Sequence, residues 1–518
     1  MKSLLLIAIC VLASKALGYN FPFEAVQLAP ADTEAFPAIA FGDADDAHPV
    51  QDLHGCRAFP GEPSWPPEEE WKKLNNSLGG ALLKPPPPGA VNATTVKHVQ
   101  MGVNFARNRN LRLVIKNTGH DWIGRAVGAG SLLIWTHHLK DFEFLPQHKQ
   151  GGFSGMAAKV SSGLESWEMF SFMKRHNMTL VVPSDSTVGA YGGWMTGGGH
   201  SPIASLYGLG ADQPLSLQVV TADGRFVTAD PETNSDLYYA LRGGGPGTYG
   251  IVTSAVVKSY PSLSFNSVTI TFATPDNGTL EPFWRAFAAE NQLGKRVTEK
   301  PHYGTGYSYV SGSNSTGHYS YDTTYEFPGK SFVEITALIA PHIDELARLG
   351  ISIAVPKPIV STRWADASRG RGDVPGNQVF ASRLFSARDW EDPAMYADVV
   401  AAVRYSVEAG YQFHGIHLAP TEAAASAYYG SSGATAVVPT TRDKSLASYA
   451  RFNESMTRWR AASPDAGVYV NEADLLEPHW QDAFWGRDNV GSEGWAVETG
   501  DFLPSQNGRL CRVSHQNK

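Results

Sequence analysis

Gly245, Gly247 and Gly250, within "LRGGGPGTYGIVTSAVVKSY" (Leu241–Tyr260), fit the spacing G-x-G-x-x-G. A dinucleotide-binding loop of that pattern needs a strand before the glycines and a helix after them. Here "SDLYYALRG" precedes them and reads as a helix opened by Asn234 or Ser235. "IVTSAVVKSY" follows and, rich in β-branched residues, reads as a strand. The order is reversed, so these glycines serve another purpose. Two further glycine-rich segments stand on loops, Lys116–Lys140 and Pro183–Gln213. Glycine lets backbone N–H groups approach a ligand closely, and such concavities suit anions. Any one segment could be turn glycines alone. All three together can line one extended ligand that carries a pyrophosphate.

The histidines offer less. His414 and His417 in "YQFHGIHLAP" could share a metal if the segment were helical. As a strand it turns them to opposite sides, the flanking residues favour a strand, and no third ligand is apparent, so no metal site is expected. His137 and His138 follow a strand-like "LLIWT" and are expected at the surface. His200, in "GGGHS", can simply support its loop.

Elements that would position these residues begin after a proline-rich stretch. "TTVKHVQMGVNFARNRN" puts Val96, Val99, Val103 and Ala106 on one helical face. "LRLVIK" and "MTLVVP" read as strands and "ESWEMFSFMKRHN" as a helix. "LQVVTADGRFVTAD" reads as a hairpin with Asp223-Gly224 as a two-residue turn. From about Ser262 the texture changes: "NSVTITFA" and "GHYSYDTTYEF" alternate as half-exposed strands do, with helical "PFWRAFAAENQL" and "YADVVAAVRYSVEAG" interspersed. A second α+β domain with an antiparallel sheet is expected there.

A chain of 518 residues has room for two or more domains. Its net charge of -8 argues against nucleic acid or an anionic membrane as partner. The opening "MKSLLLIAICVLASKALG" has a short basic start, an apolar core too short to span a bilayer, and small residues at Ala16 and Gly18. It reads as a signal peptide, residues 1–18, leaving no membrane anchor. Sequons at Asn75, Asn92, Asn177, Asn277, Asn314 and Asn453 agree with a secreted glycoprotein. Cys10 leaves with the signal, and in an oxidising compartment Cys56 and Cys511 are candidates to pair.

Four segments occur in order: "NTGHDWIGR" with "GSLLIWTHHLK", "TVGAYGGWMTGGGHS" with "YGLGAD", "DLYYALRGGGPGTYGIVT", and "YVNEADLLEPHWQDAFWG". Together they resemble the FAD-linked oxidoreductases of the vanillyl-alcohol oxidase family, in the berberine-bridge-enzyme-like branch and of the fungal secreted type. The resemblance covers roughly Asn92 to Gly486. It implies an α+β protein with a two-subdomain FAD-binding domain (residues 91–262) after an N-terminal extension (19–90). A substrate domain (263–465) would follow, then a C-terminal segment (466–518) returning to the FAD domain. It further implies a covalent bond from His120 to the flavin 8α position, a role suited to a neutral imidazole. Around the cofactor it implies Thr118, Gly119, Asp121 and Gly124 from the first loop. From the second come Ser186, Thr187, Val188, Gly189, Gly192, Gly193, Gly197, Gly198, His200 and Gly208. Gly250, Ile251 and Val252 would lie against the adenine half, and Asn471 would hold the ring. Where some relatives carry a second, cysteinyl link, this chain has Asp185, so a single link is expected. Tyr469 is the candidate base, provided its pKa is lowered; a buried core tyrosine is the alternative. One of His414 and His417 is a candidate for the substrate pocket.

The chemistry so implied is removal of a hydride from an alcohol carbon to flavin N5, with a base for the hydroxyl proton and O2 as acceptor, giving hydrogen peroxide. Oxygen access depends on the shape near Val188, Gly189 and Ala190. Alternatives are a carbohydrate oxidase, an oxidative cyclase or desaturase of secondary metabolism, or a flavin-binding protein without turnover. Two regions look short against the family. No strand pair is evident before the helix at "TTVKHV", and after "HWQDAFWG" the chain runs straight into "RDNVGSEGWA".

Overall fold

A computed structural model of the chain describes residues 20–42, 57–83, 89–276, 278–313, 316–361, 363–367, 378–420, 431–437, 442–474, 477–485, 502–504 and 510–512. The signal segment, most of the proline run, the sequons at Asn277 and Asn314, and the stretch after Trp485 apart from 502–504 and 510–512 lie outside these residues, as does Cys56.

Three apolar cores divide the fold. The first is built on a four-stranded sheet of β1 (Leu82–Leu83), β2 (Ala90–Asn92), β3 (Arg112–Lys116) and β4 (Ser131–Trp135), in the order β1-β2-β4-β3. The helix Val96–Asn108 is capped by the Thr95 side chain, which accepts the His98 N–H. It buries Val96, Val99, Val103 and Ala106 against this sheet. The opening strand pair that the sequence seemed to lack is present: Leu82 pairs with Val91 and Leu83 with Ala90. Strands of two and three residues are too short for a legible alternation. The N-terminal extension is likewise part of this core, because Leu28, Phe36, Ile39, Leu74 and Leu78 are buried in it.

The second core covers an antiparallel sheet of β5 (Phe142–Gln150), β6 (Phe153–Ser161), β8 (Pro214–Val220), β9 (Phe226–Ala229) and β10 (Ile251–Lys258), with order β5-β6-β10-β8-β9. A small ribbon, β7 (Met178–Thr179) against β11 (Tyr260–Pro261), stands beside it. "MTLVVP" yields only β7 because side chains satisfy the rest of its backbone. The Leu180, Val181 and Val182 carbonyls accept from Trp364 Nε1 at 3.1 Å, Tyr191 Oη at 2.7 Å and Ser201 Oγ at 2.7 Å. The β8–β9 hairpin closes through three residues, Ala222–Gly224, not two. The Gly224 N–H reaches the Thr221 carbonyl, the Thr221 N–H reaches Arg225, and only Gly224 has positive φ. A two-residue turn would force Asp223 into the left-handed region as well, and its carboxylate instead caps Thr221 and Arg225.

The third core lies under a seven-stranded, wholly antiparallel sheet. Its strands are β12 (Phe265–Ala273), β13 (Thr305–Ser313), β14 (His318–Pro328), β15 (Ile359–Ser361), β16 (Gln378–Leu384), β17 (Gln412–His417) and β18 (Ser431–Val437). The order is β15-β12-β14-β13-β17-β18-β16. Helices Glu281–Thr298, Phe332–Arg348, Pro393–Glu408 and Arg442–Ala462 pack on it.

One buried ion joins the chain's first described segment to the second sheet. Glu24 is fully buried and accepts from Thr253 Oγ1 at 2.7 Å, Ser254 Oγ at 2.6 Å and the Phe21 N–H at 2.8 Å, with Lys159 Nζ 3.8 Å away. Burial still holds its carboxyl above the usual carboxylate range, against the pull of those bonds. Glu24→Ala would strand Lys159 and the Ser254 hydroxyl in the interior, while Thr253 Oγ1 keeps the Gln218 carbonyl. It is expected to cost about 3–5 kcal/mol, read as a lower urea midpoint at unchanged slope and earlier proteolysis within residues 20–42.

Candidate active site

A cleft of about 710 Å³ runs between the first two sheets and the seven-stranded sheet. One wall is the loop after β3. Gly119 and Gly124 take positive φ there, at +100° and +75°. Asp121 folds this loop: Oδ1 receives Arg125 Nε at 2.9 Å and Nη2 at 2.7 Å, and Oδ2 receives the Ala126 N–H at 3.1 Å. Asp121 therefore presents His120 to the cleft while its own charge is already matched. Thr118, Gly119, His120 and Asp121 line the cleft.

The facing wall is the second glycine-rich loop. It is pinned to the N-terminus of the helix Ser166–His176, where the Trp167 and Ser166 N–H groups donate to the Ser186 and Val188 carbonyls. This places Thr187 Oγ1 2.7 Å from His120 Nε2. Val188, Gly189, Gly192 and Gly193 line the cleft, and Ala190 is buried behind them. At Gly189 and Gly192 a β-carbon would collide with the Asn117 side chain. Their glycine identity thus reflects packing of the loop on Asn117 as much as access for a ligand. Gly250, Ile251 and Val252 form the floor, with Pro246–Thr248 beside them. Gly124, Ser186, Thr187, Gly197 and Gly198 are not among the residues that line the cleft. Gly208 caps the short helix Ala204–Tyr207, away from the cleft.

Burial holds His120 below its usual pKa, opposed by Asp185 and Glu165, so its imidazole is neutral at neutral pH. The third wall comes from β13, β16, β17 and the turn Val470–Glu472. Tyr469 Oη accepts the Gly199 N–H at 3.1 Å and Asn471 Nδ2 at 2.8 Å. Asn471 Nδ2 also reaches the Trp194 carbonyl at 3.1 Å. A β-carbon at Gly197 would overlap the Asn471 amide. Burial and the neighbouring Glu472 push the Tyr469 phenol well above its usual pKa. That is opposite to what a tyrosine base requires. With both acceptor positions of its oxygen engaged, Tyr469 is a neutral hydroxyl donor.

His200 Nε2 lies 2.8 Å from Glu472 Oε1. Burial raises the Glu472 carboxyl, but the charge and hydrogen bond of His200, with His414, more than offset it and hold it below its usual range. β17 separates the two histidines as a strand must. His414 faces the cleft, stacked on Tyr309 with centroids 4.5 Å apart, and His417 packs against Gly294 and Gly306. Trp122 and Phe380 meet across the domains at 5.0 Å. His138 is exposed and His137 half-buried, both stacked near Trp135. Sequence reasoning left out Asn117, Trp122, Tyr307, Tyr309, Phe380 and Glu472. Only Glu472 carried a signal, standing three residues after Tyr469.

These residues fit the FAD that the resemblance implies. The cleft is lined by residues of all three glycine segments, Arg112 supplies positive charge to its lining, and the buried Asn117 Oδ1 has no hydrogen-bond partner among the described residues.

His414 and His417 carry a stability prediction. Burial pushes both imidazoles down to about 4 from an ordinary 6.5. The unfolded chain therefore binds more protons between these values, and stability falls as pH drops from 6.5 towards 4. Each histidine contributes up to about 1.4 kcal/mol per pH unit. His417→Gln is expected to lower that slope by one proton, measured by urea unfolding at pH 4.5 to 7.

Comparison with known proteins places the chain in a family. The FAD binding domain family matches residues 87–230. The FAD-linked oxidoreductase patO of Aspergillus clavatus is 29% identical, over 88% of this chain and 94% of its own. An uncharacterized FAD-linked oxidoreductase of Arthroderma benhamiae is 32% identical over 77% of this chain and 76% of its own. The crystal structure of the VAO-type flavoprotein MtVAO615 from Myceliophthora thermophila superposes with a TM-score of 0.76 at 26% identity, covering 88% of this chain and 100% of that one. With these likenesses, the chain belongs to the FAD-linked oxidoreductases of the vanillyl-alcohol oxidase and berberine-bridge-enzyme-like family.

Proposed function

We propose that this FAD-linked oxidoreductase is an oxidase of alcohols, with its cofactor tied by a single covalent bond from His120. The observation that carries the reading is the placement of His120 opposite a wall of hydroxyl, amide and imidazole groups across one cleft. One alcohol and one O2 would give one carbonyl compound and one hydrogen peroxide. Bound FAD supplies the two-electron acceptor for that chemistry. The residues do the rest. Asp121 and Thr187 fix the position of His120, whose neutral ring leaves a nitrogen able to form the bond. Tyr469 offers a fixed hydroxyl donor to a substrate oxygen. The Trp122–Phe380 contact and the Tyr309–His414 stack surround the substrate with flat apolar surface, which favours an aromatic or otherwise planar alcohol over a freely hydrated one. Asp185 cannot form a thioether, so no second link is made. Secretion with glycosylation is part of the proposal, supported by the exposure of Asn177 and Asn453. Among the described residues no helix is long and apolar enough to cross a membrane.

Denaturation in acid followed by separation tests the link. Flavin is expected to stay with the wild-type protein and to be released from His120→Ala. Release from the wild type would remove the covalent bond from the proposal. Peroxide formation on a panel of aromatic alcohols, aliphatic alcohols and sugars tests the reaction. Turnover confined to sugars would favour a carbohydrate oxidase instead.

A further inference from the structure

We propose that His200 Nδ1 is the proton acceptor for the substrate hydroxyl, with Glu472 as its positioning residue. The inference rests on the alcohol-oxidase reading above and assigns the base within it. The argument starts from the 2.8 Å contact between His200 Nε2 and Glu472 Oε1. An ionised carboxylate only accepts, so the shared proton sits on Nε2. Nδ1 is then the bare nitrogen. It is buried and has no hydrogen-bond partner among the described residues. Leaving such an acceptor unmet costs about 1–3 kcal/mol, a cost that a bound hydroxyl would remove. The ring lines the cleft, with its centroid 5.6 Å from Tyr469 and 6.4 Å from Tyr307.

The rival bases are weaker on the same geometry. Tyr469 already accepts two N–H bonds and is held neutral by burial. His414 also has a buried Nε2 with no hydrogen-bond partner, but burial pushes the ring down to about 4 and, among the described residues, no carboxylate is bonded to it. His417 is turned into the domain core. The groups facing His200 are Glu472 and Tyr469 from the C-terminal segment, His414 from β17 and Tyr307 from β13. Of these only Glu472 brings a negative charge, and it is the one that stabilises an imidazolium.

In the proposed step the substrate O–H bond breaks and its proton passes to Nδ1. The electron pair stays on oxygen and becomes the second bond of the carbonyl. The carbon-bound hydrogen departs with its two electrons, which the FAD-linked activity accepts. His200 then carries both protons, its Nε2–H still directed at Glu472.

The test uses flavin-loaded protein under anaerobic conditions and follows the loss of flavin absorbance with benzyl alcohol, 1-phenylethanol, cyclohexanol and glucose as probes. His200→Ala is expected to slow reduction by about a hundredfold or more, to lose the acid limb of the pH profile, and to regain rate on addition of free imidazole. Glu472→Gln is expected to slow reduction by about tenfold with KM little changed. Nitrogen-15 spectra of labelled histidine give a readout apart from turnover: Nδ1 of His200 should be the unprotonated nitrogen at pH 7.5. A His200→Ala variant that is reduced at the wild-type rate would overturn the proposal, as would an acid limb that disappears only in His414→Asn, or a protonated Nδ1. Loss of rate without imidazole rescue would assign His200 a structural role and overturn it too. If no alcohol reduces the wild type, the alcohol reading fails, and the base assignment goes with it.

Discussion

The oxygen of Tyr469 is the joint on which the cleft depends. It receives the Gly199 N–H from a position 270 residues earlier, and the Asn471 amide beside it reaches the Trp194 carbonyl. These bonds tie the C-terminal segment to the glycine-rich loop of the cofactor domain. They require close approach, which explains why Gly197 and Gly198 have no side chains where Asn471 and Tyr469 sit. The three walls of the cleft belong to three separate stretches of chain, and this joint sets the spacing between them. An oxygen that accepts two N–H groups has its remaining proton fixed in direction, so the same contact that closes the fold also presents a hydroxyl donor.

The electrostatics follow from that closure. Burial raises the phenol, lowers His120 and lowers His414, in each case favouring the uncharged form. Glu472 alone in this group is driven the other way, by its histidine partners. The wall around Tyr469 therefore sets the neutral Tyr469 and His414 beside the negative charge of Glu472. Such a setting suits a reaction in which a proton must be taken from a weak acid while water is kept out.

Much of this was legible in the sequence where local pattern and tertiary packing agree. The helix Val96–Asn108 and the alternating strand Phe265–Ala273 appear where periodicity puts them, because one face of each is buried, and the strand "IVTSAVVK", buried on both faces, appears where its β-branched residues put it. Legibility failed where long-range side chains did the work of a ladder. "LVV" after Thr179 looks like a strand, yet Trp364, Tyr191 and Ser201 supply the donors, and none of them is a sequence neighbour. The proline-rich opening hid a strand pair of two and three residues. At the site, His120 and Tyr469 stood out through a family pattern. The Trp122–Phe380 contact and the Tyr309–His414 stack did not, since each joins residues far apart in the chain through ordinary aromatic types.

The anchor formed by Glu24 has a consequence for how the molecule assembles. Its hydroxyl partners, Thr253 and Ser254, are 229 and 230 residues further along. Contacts of that separation form late, because the loop they close is long. On a ribosome adding about 5–20 residues per second, Glu24 emerges roughly ten to fifty seconds before the strand that receives it. During that interval Phe21, Leu28, Phe36 and Ile39 have no finished core to enter. The first cofactor subdomain is thus completed from both ends, and its N-terminal edge needs protection in the cell until the floor of the cleft has been made.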